Sequence, residues 1–149
     1  MPHATTPAAP AETTVDLAAL QALLTDMVAP WVTELNLRVI EARPGKVVLA
    51  LPVAPRHVHG GGVLCGQSMM AAADTAMVLA ISSQLGGFKP MTTVQLQTSF
   101  LRPIAGDSGE ARVIARVLRL GKSLAFGEIE VQDAAGRLAA HATTTYALL

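Results

Sequence analysis

The sequence predicts an α+β fold in which helices and strands are segregated and the strands pair antiparallel. Three observations carry that expectation. The run Gln67 to Leu85 is dominated by Ala and Met, both good helix formers, and is stopped by Gly86-Gly87. The β-leaning runs are short and separated by Pro and Gly turns. The order of elements is helix, β, β, long helix, β, β, β, β, with no internal repeat and no coiled-coil heptad, which leaves an antiparallel sheet as the frame.

Each element follows from its residues in turn. Residues 1–14 are Ala, Pro and Thr with almost no bulky apolar side chain, so a loose tail is expected there and a single domain over residues 15–149. Between Val15 and Val28 the apolar residues Leu17, Leu20, Leu24, Met27 and Val28 recur at three and four, with Asp16 near the start and Pro30 after the end. That pattern is an amphipathic helix. Leu35 to Glu41 and Lys46 to Val53 flank Arg43-Pro44-Gly45 and read as a hairpin. Arg56 to Gly66 is a glycine-rich loop feeding the long helix. Strands are then expected over Thr92 to Leu101, Ser108 to Leu120, Leu124 to Gln132 and Leu138 to Tyr146.

Composition narrows the function classes. The 149 residues carry 11 Lys+Arg against 11 Asp+Glu, and no basic run suggests nucleic acid or an anionic membrane as the partner. The longest apolar stretch, Met69 to Ile81, is interrupted by Asp74 and Thr75 and is short for a bilayer span. One cysteine, Cys65, and a start without the pattern of a signal peptide make the cytoplasm the expected compartment. With 51% hydrophobic and only 15% charged residues, a monomer has too little polar surface to cover itself, which favours self-association.

Asp74 is the residue that breaks the pattern. It is the only formal charge within Gln67 to Leu85, and its neighbours one turn away are Met70, Ala71, Met77 and Val78, so it belongs to no polar stripe. Burying an ionised carboxylate costs several kcal/mol unless it is paired, and the expense points to chemistry. The structural alternative is a pairing with Thr75, a backbone amide or a basic side chain at a subunit interface. At the other end of the helix, Gly60-Gly61-Gly62 and Gly66 allow backbone amides to approach a ligand where the helix dipole is positive, as polarisation of a carbonyl requires.

Taken together, Gly66-Gln67, Ala73-Asp74-Thr75-Ala76, Thr92-Thr93-Val94, Phe100-Leu101-Arg102-Pro103, Leu118-Arg119-Leu120-Gly121-Lys122 and His141-Ala142-Thr143 resemble the hotdog-fold thioesterases of the phenylacetic-acid-degradation (PaaI-like) type, over about Leu35 to Leu149. The resemblance implies a long helix wrapped by an antiparallel sheet, a homodimer or dimer of dimers, and hydrolysis of acyl-CoA thioesters bound between subunits. It implies no cofactor, coenzyme A being part of the substrate, and no metal. Members carry His-Gly-Gly about nine residues before the acid and Asn about six residues earlier; here those places hold Cys65-Gly66-Gln67 and His59. The resemblance therefore assigns Asp74 as base or nucleophile, the Gly66 amide as oxyanion donor, His59 as the group orienting carbonyl or water, and Thr93 as the hydroxyl holding the water. Cys65 and Gln67 would line the substrate, and Arg119, Gly121, Lys122 and Ser123 the pantetheine and phosphate end of coenzyme A.

Rival readings draw on the same residues. Cys65 with His59 would make a nucleophile and base, although a lone cysteine at a helix start is more often a packed hydrophobe. His57 and His59 lack further metal ligands at a recognisable spacing. His59 with Asp74 has the separation of a hotdog hydratase or dehydratase, without that family's His-Phe-Pro-Gly start. A non-catalytic acyl-CoA-binding module is the reading from another class.

Overall fold

The computed structural model describes residues 15–149; the expected loose tail over residues 1–14 lies outside them. Helix α1 (Leu17–Met27) starts at Asp16, whose Oδ1 accepts hydrogen bonds from the amides of Ala18 at 2.9 Å and Ala19 at 3.3 Å. Pro30 ends this helix as expected, but it also opens a one-turn helix, α2 (Pro30–Thr33). Proline at the first helical position loses no hydrogen bond, so the residue read as a stop is also a start. Strand β1 (Arg38–Arg43) begins three residues later than expected, because Asn36 sits at φ 52°, in the left-handed region, and breaks the extended chain. It pairs with β2 (Lys46–Pro52).

The loop that follows contains a short 3-10 turn at Pro55–His57 and leads into α3 (Gly66–Leu85). Gly86, at φ 78°, ends α3 in the left-handed conformation, and the Gly87 amide donates to the Ser82 carbonyl at 3.0 Å. Strands β3 (Met91–Phe100), β4 (Glu110–Leu120), β5 (Leu124–Gln132) and β6 (Leu138–Leu148) complete one six-stranded antiparallel sheet in the order β1-β2-β4-β5-β6-β3. No helix among the described residues is long and apolar enough to cross a membrane.

The sheet and α3 share one core. Leu49, Leu51, Val113 and Ile129 from the sheet meet Ala72, Ala76, Leu79 and Ile81 from α3, all fully buried. Truncating a side chain such as Ile129 to alanine there costs about 2–5 kcal/mol. The helix lies so close to β5 that a Cβ on Gly127 would stand 2.6 Å from the Met77 sulfur and 2.8 Å from the Arg116 carbonyl oxygen. Glycine is the residue that permits this approach.

The residues of α3 are apolar or small nearly all round, yet the helix is buried over only part of its circumference. Met70, Ala71, Asp74 and Val78, spaced one and two turns apart on one flank, are half-buried, and Asp74 with them. A single sheet curves around part of a helix, and α1 covers only a further part. The adjoining edge strand β3 is also open: Val94 and Phe100 are 60% and 49% exposed, and no charged residue or proline interrupts its ten residues.

Candidate active site

Asp74 projects from the middle of α3 toward the end of the sheet where β3 and β6 pair. Thr93 and Tyr146 are direct cross-strand partners there. The Thr93 hydroxyl donates to Asp74 Oδ1 at 2.8 Å, and the Tyr146 hydroxyl contacts the same Oδ1 and also lies 2.9 Å from the Asp74 main-chain oxygen. A β-bulge at Val94 follows Thr93 immediately, a device that re-aims side chains beside functional sites. Tyr146 is buried, and that burial, reinforced by the adjacent Asp74 carboxylate, holds its phenol protonated well above the usual tyrosine range. Thr75 is not the partner of Asp74: its hydroxyl donates to the Ala71 carbonyl at 2.8 Å.

Tyr146 does not stand out in the sequence as Asp74 does. The signal lay in its position: residues 140, 142, 144 and 146 alternate toward α3, and a buried tyrosine requires a hydrogen-bond partner for its hydroxyl. Which partner it finds depends on a residue 72 positions away.

Asp74 borders a cavity of about 250 Å³ whose other walls are mainly apolar, among them Met27, Val28 and Val32 from the α1–α2 region with Val78, Phe88 and Met91. Among the described residues Asp74 is the only charged one lining it. The cavity can take an uncharged group and present its attachment point to a carboxylate.

The other expected residues gather at the far end of α3. Cys65 is the N-cap residue and supplies no side-chain cap, which leaves the first amides of the helix, Gly66 among them, with no partner from that side chain. Gly66 and His59 border a second cavity of about 380 Å³ together with Phe100 and Arg102. A Cβ at Gly66 would stand 3.1 Å from the Phe100 ring, so the ring lies directly over the helix start. His59 is exposed, and its Nδ1 accepts from the Gly61 amide at 2.9 Å, which leaves Nε2 as the donor of the neutral ring. Cys65 Sγ lies 3.1 Å from the Ser68 hydroxyl and makes no hydrogen bond to His59. Gln67 is exposed beside them.

Arg119, Gly121, Lys122 and Ser123 form the end of β4 and the turn into β5. Arg119 stands opposite Phe126, next to the row that carries Tyr146, and the Ser123 carbonyl accepts from the Leu148 amide at 2.9 Å. The turn therefore belongs to the Asp74 end of the sheet. Within the chain the structure brings together Asp74 and Thr93 with this turn nearby, and separately His59, Cys65, Gly66 and Gln67. It does not join the two groups. Among the described residues no cluster of three or more His, Cys, Asp or Glu is arranged to hold a metal ion.

The thioesterase superfamily profile matches residues 56–140, more than half of the chain. The chain is 30% identical over 112 residues to human acyl-coenzyme A thioesterase 13, covering 74% of this chain and 78% of that protein. Zebrafish thioesterase superfamily member 2 has a similar crystal structure, with a TM-score of 0.80 and 25% identity over 91% of this chain and all of the other. The fold is also that of the Escherichia coli PaaI protein from the phenylacetic acid degradation operon: TM-score 0.75, 22% identity, 90% of this chain and 96% of that one.

Proposed function

Since the chain belongs to the thioesterase superfamily, with the hotdog fold of its structural neighbours, we propose that it hydrolyses acyl-CoA thioesters to a free acid and coenzyme A, with Asp74 as the reacting carboxylate. The observation that carries this reading is the setting of Asp74. A lone carboxylate on an apolar helix, held by the Thr93 hydroxyl, faces a cavity lined otherwise by uncharged residues.

The chemistry needs only the carboxylate, a water and amide donors. In the general-base route, a water donates one proton toward Asp74 and the other toward the lone pairs of Thr93 Oγ1, and its oxygen attacks the thioester carbonyl carbon. Asp74 takes the proton, the Gly66 amide stabilises the oxyanion, and collapse of the tetrahedral intermediate expels the coenzyme A thiolate, which regains a proton. In the nucleophilic route the carboxylate itself attacks, and water then hydrolyses the mixed anhydride. His59 Nε2–H orients the carbonyl, Cys65 and Gln67 flank it, and Arg119, Gly121, Lys122 and Ser123 meet the pantetheine and phosphates.

One subunit cannot assemble this site. Gly66 and Asp74 are eight residues apart on one helix, about 12 Å along its axis, and one carbonyl cannot meet both. We therefore take the active unit to be a homodimer, or a dimer of dimers, in which the open flank of α3 and the edge of β3 face a second copy. Gly66 and His59 of one chain then serve Asp74 and Thr93 of the other.

Release of free coenzyme A from a panel of acyl-CoAs tests the reading. Turnover is expected from the wild type, and Asp74→Asn should lower kcat by about 10²–10⁴-fold while melting normally. Hydration of an enoyl-CoA without thioester cleavage would establish the hydratase reading instead, and tight binding without turnover the binding module.

A further inference from the structure

Resting on the reading of Asp74 as the reacting carboxylate, we infer that Tyr146 is its positioning residue: together with Thr93 it occupies Oδ1 and leaves Oδ2 as the atom that meets water or thioester. The last torsion of aspartate is broad, so packing alone does not set the plane of a carboxylate that is half-buried on an open helix flank. Two donors converging on one oxygen do set it. Both come from rigid backbone, because Thr93 and Tyr146 are paired across β3 and β6, and Tyr146 is paired again with Ala125 of β5.

Tyr146 suits this role better than a second threonine would. The residue is 2% exposed and its hydroxyl reaches Asp74 of α3, so that hydroxyl has little freedom to leave. The phenol has one proton and two acceptors in reach, the main-chain oxygen and Oδ1 of Asp74. The main-chain oxygen lies in the middle of α3, where helical geometry already provides an amide donor, so the proton goes to the charged oxygen. Among the described residues no other ionisable group borders the cavity around Asp74: Met27, Val28 and Val32 face it from α1–α2, Val78 from α3, and Phe88 and Met91 from the approach to β3. Buried beside a carboxylate, the phenol stays protonated throughout the working range and acts as a donor, not as a base.

Tyr146→Phe keeps the ring and removes the hydroxyl. We expect kcat to fall about tenfold with little change in KM, since the lost group never touches substrate. A purely structural tyrosine would lower the melting temperature without this selective fall in kcat. Unchanged kcat in a folded Tyr146→Phe protein would overturn the inference. A second readout is independent of catalysis. Tyr146 is the chain's only tyrosine, so the tyrosine Fermi doublet in the Raman spectrum reports its hydroxyl alone. The doublet should indicate a strong donor in the wild type and a weaker one in Asp74→Ala. Identical doublets would overturn the inference whether or not any thioester is cleaved, whereas a wild type inactive on every thioester would overturn the hydrolase reading alone.

Discussion

Gly66 and Asp74 lie on the same helix yet open into cavities that share no lining residue. If both serve one reaction, each must be completed by a second chain, and complementation detects this. Asp74→Ala and Gly66→Pro homodimers should each be inactive. Proline removes the amide donor, and the first helical position tolerates it, though the half-exposed Phe100 ring must shift to admit it. After subunit exchange about half of the dimers are mixed, each with one intact site of two, so activity should recover to roughly a quarter of wild type. With mixed dimers confirmed by mass and Gly66→Pro shown to fold, no recovery would mean that the site is not shared.

Cys65→Ser and Cys65→Ala should keep most of their activity. The Cys65 thiol lies against Ser68, and what the proposed chemistry needs from this stretch is the backbone amide that follows it. Loss of turnover in both variants would reinstate the thiol as nucleophile.

His59→Ala should lower kcat/KM about tenfold without abolishing turnover, because an orienting group contributes less than the attacking one. His59→Phe should do no better. It keeps an aromatic ring but lacks the Nε2–H that remains once Nδ1 accepts from Gly61. Full activity in either variant would remove His59 from the site.

The turn between β5 and β6 supplies a pH prediction. Asp133 Oδ1 accepts from the Ala135 amide at 3.0 Å and the Arg137 amide at 2.9 Å, while Oδ2 meets Arg137 Nε at 2.9 Å. The Arg137 backbone bond first, and then its side chain, hold the carboxyl below its ordinary value of 3.8. A carboxylate whose pKa is lowered by folding stabilises the fold at pH values above its unfolded pKa, and that contribution is lost as pH falls through the folded value. Asp133→Asn should therefore melt below the wild type at neutral pH, and the gap should narrow as pH drops below 3.8. Thermal melts at pH 7 and pH 3 check the sign; a gap that widens in acid would refute it.

What the sequence determined by itself is what neighbouring residues decide among themselves. The Ala- and Met-rich run with Gly86 behind it specifies α3 within one residue of its observed start, and Leu124 to Gln132 specifies β5 at both ends. The anomaly of Asp74 is equally local, one charge where every neighbour within a turn is apolar or small. Pairing across the sheet was out of reach. Thr93 could be named from the resemblance, but its hydrogen bond to Asp74 and the presence of Tyr146 beside it depend on the register of β3 against β6 and on the bulge at Val94. How much of α3 is covered was also a tertiary outcome. An apolar helix reads the same whether its last flank meets its own sheet or is left open at Met70, Asp74 and Val78. Propensity and patterning act over a few residues and so are written in order along the chain. The contact between residues 74 and 146 exists only because a strand register, summed over many backbone hydrogen bonds, brings those two positions to one place.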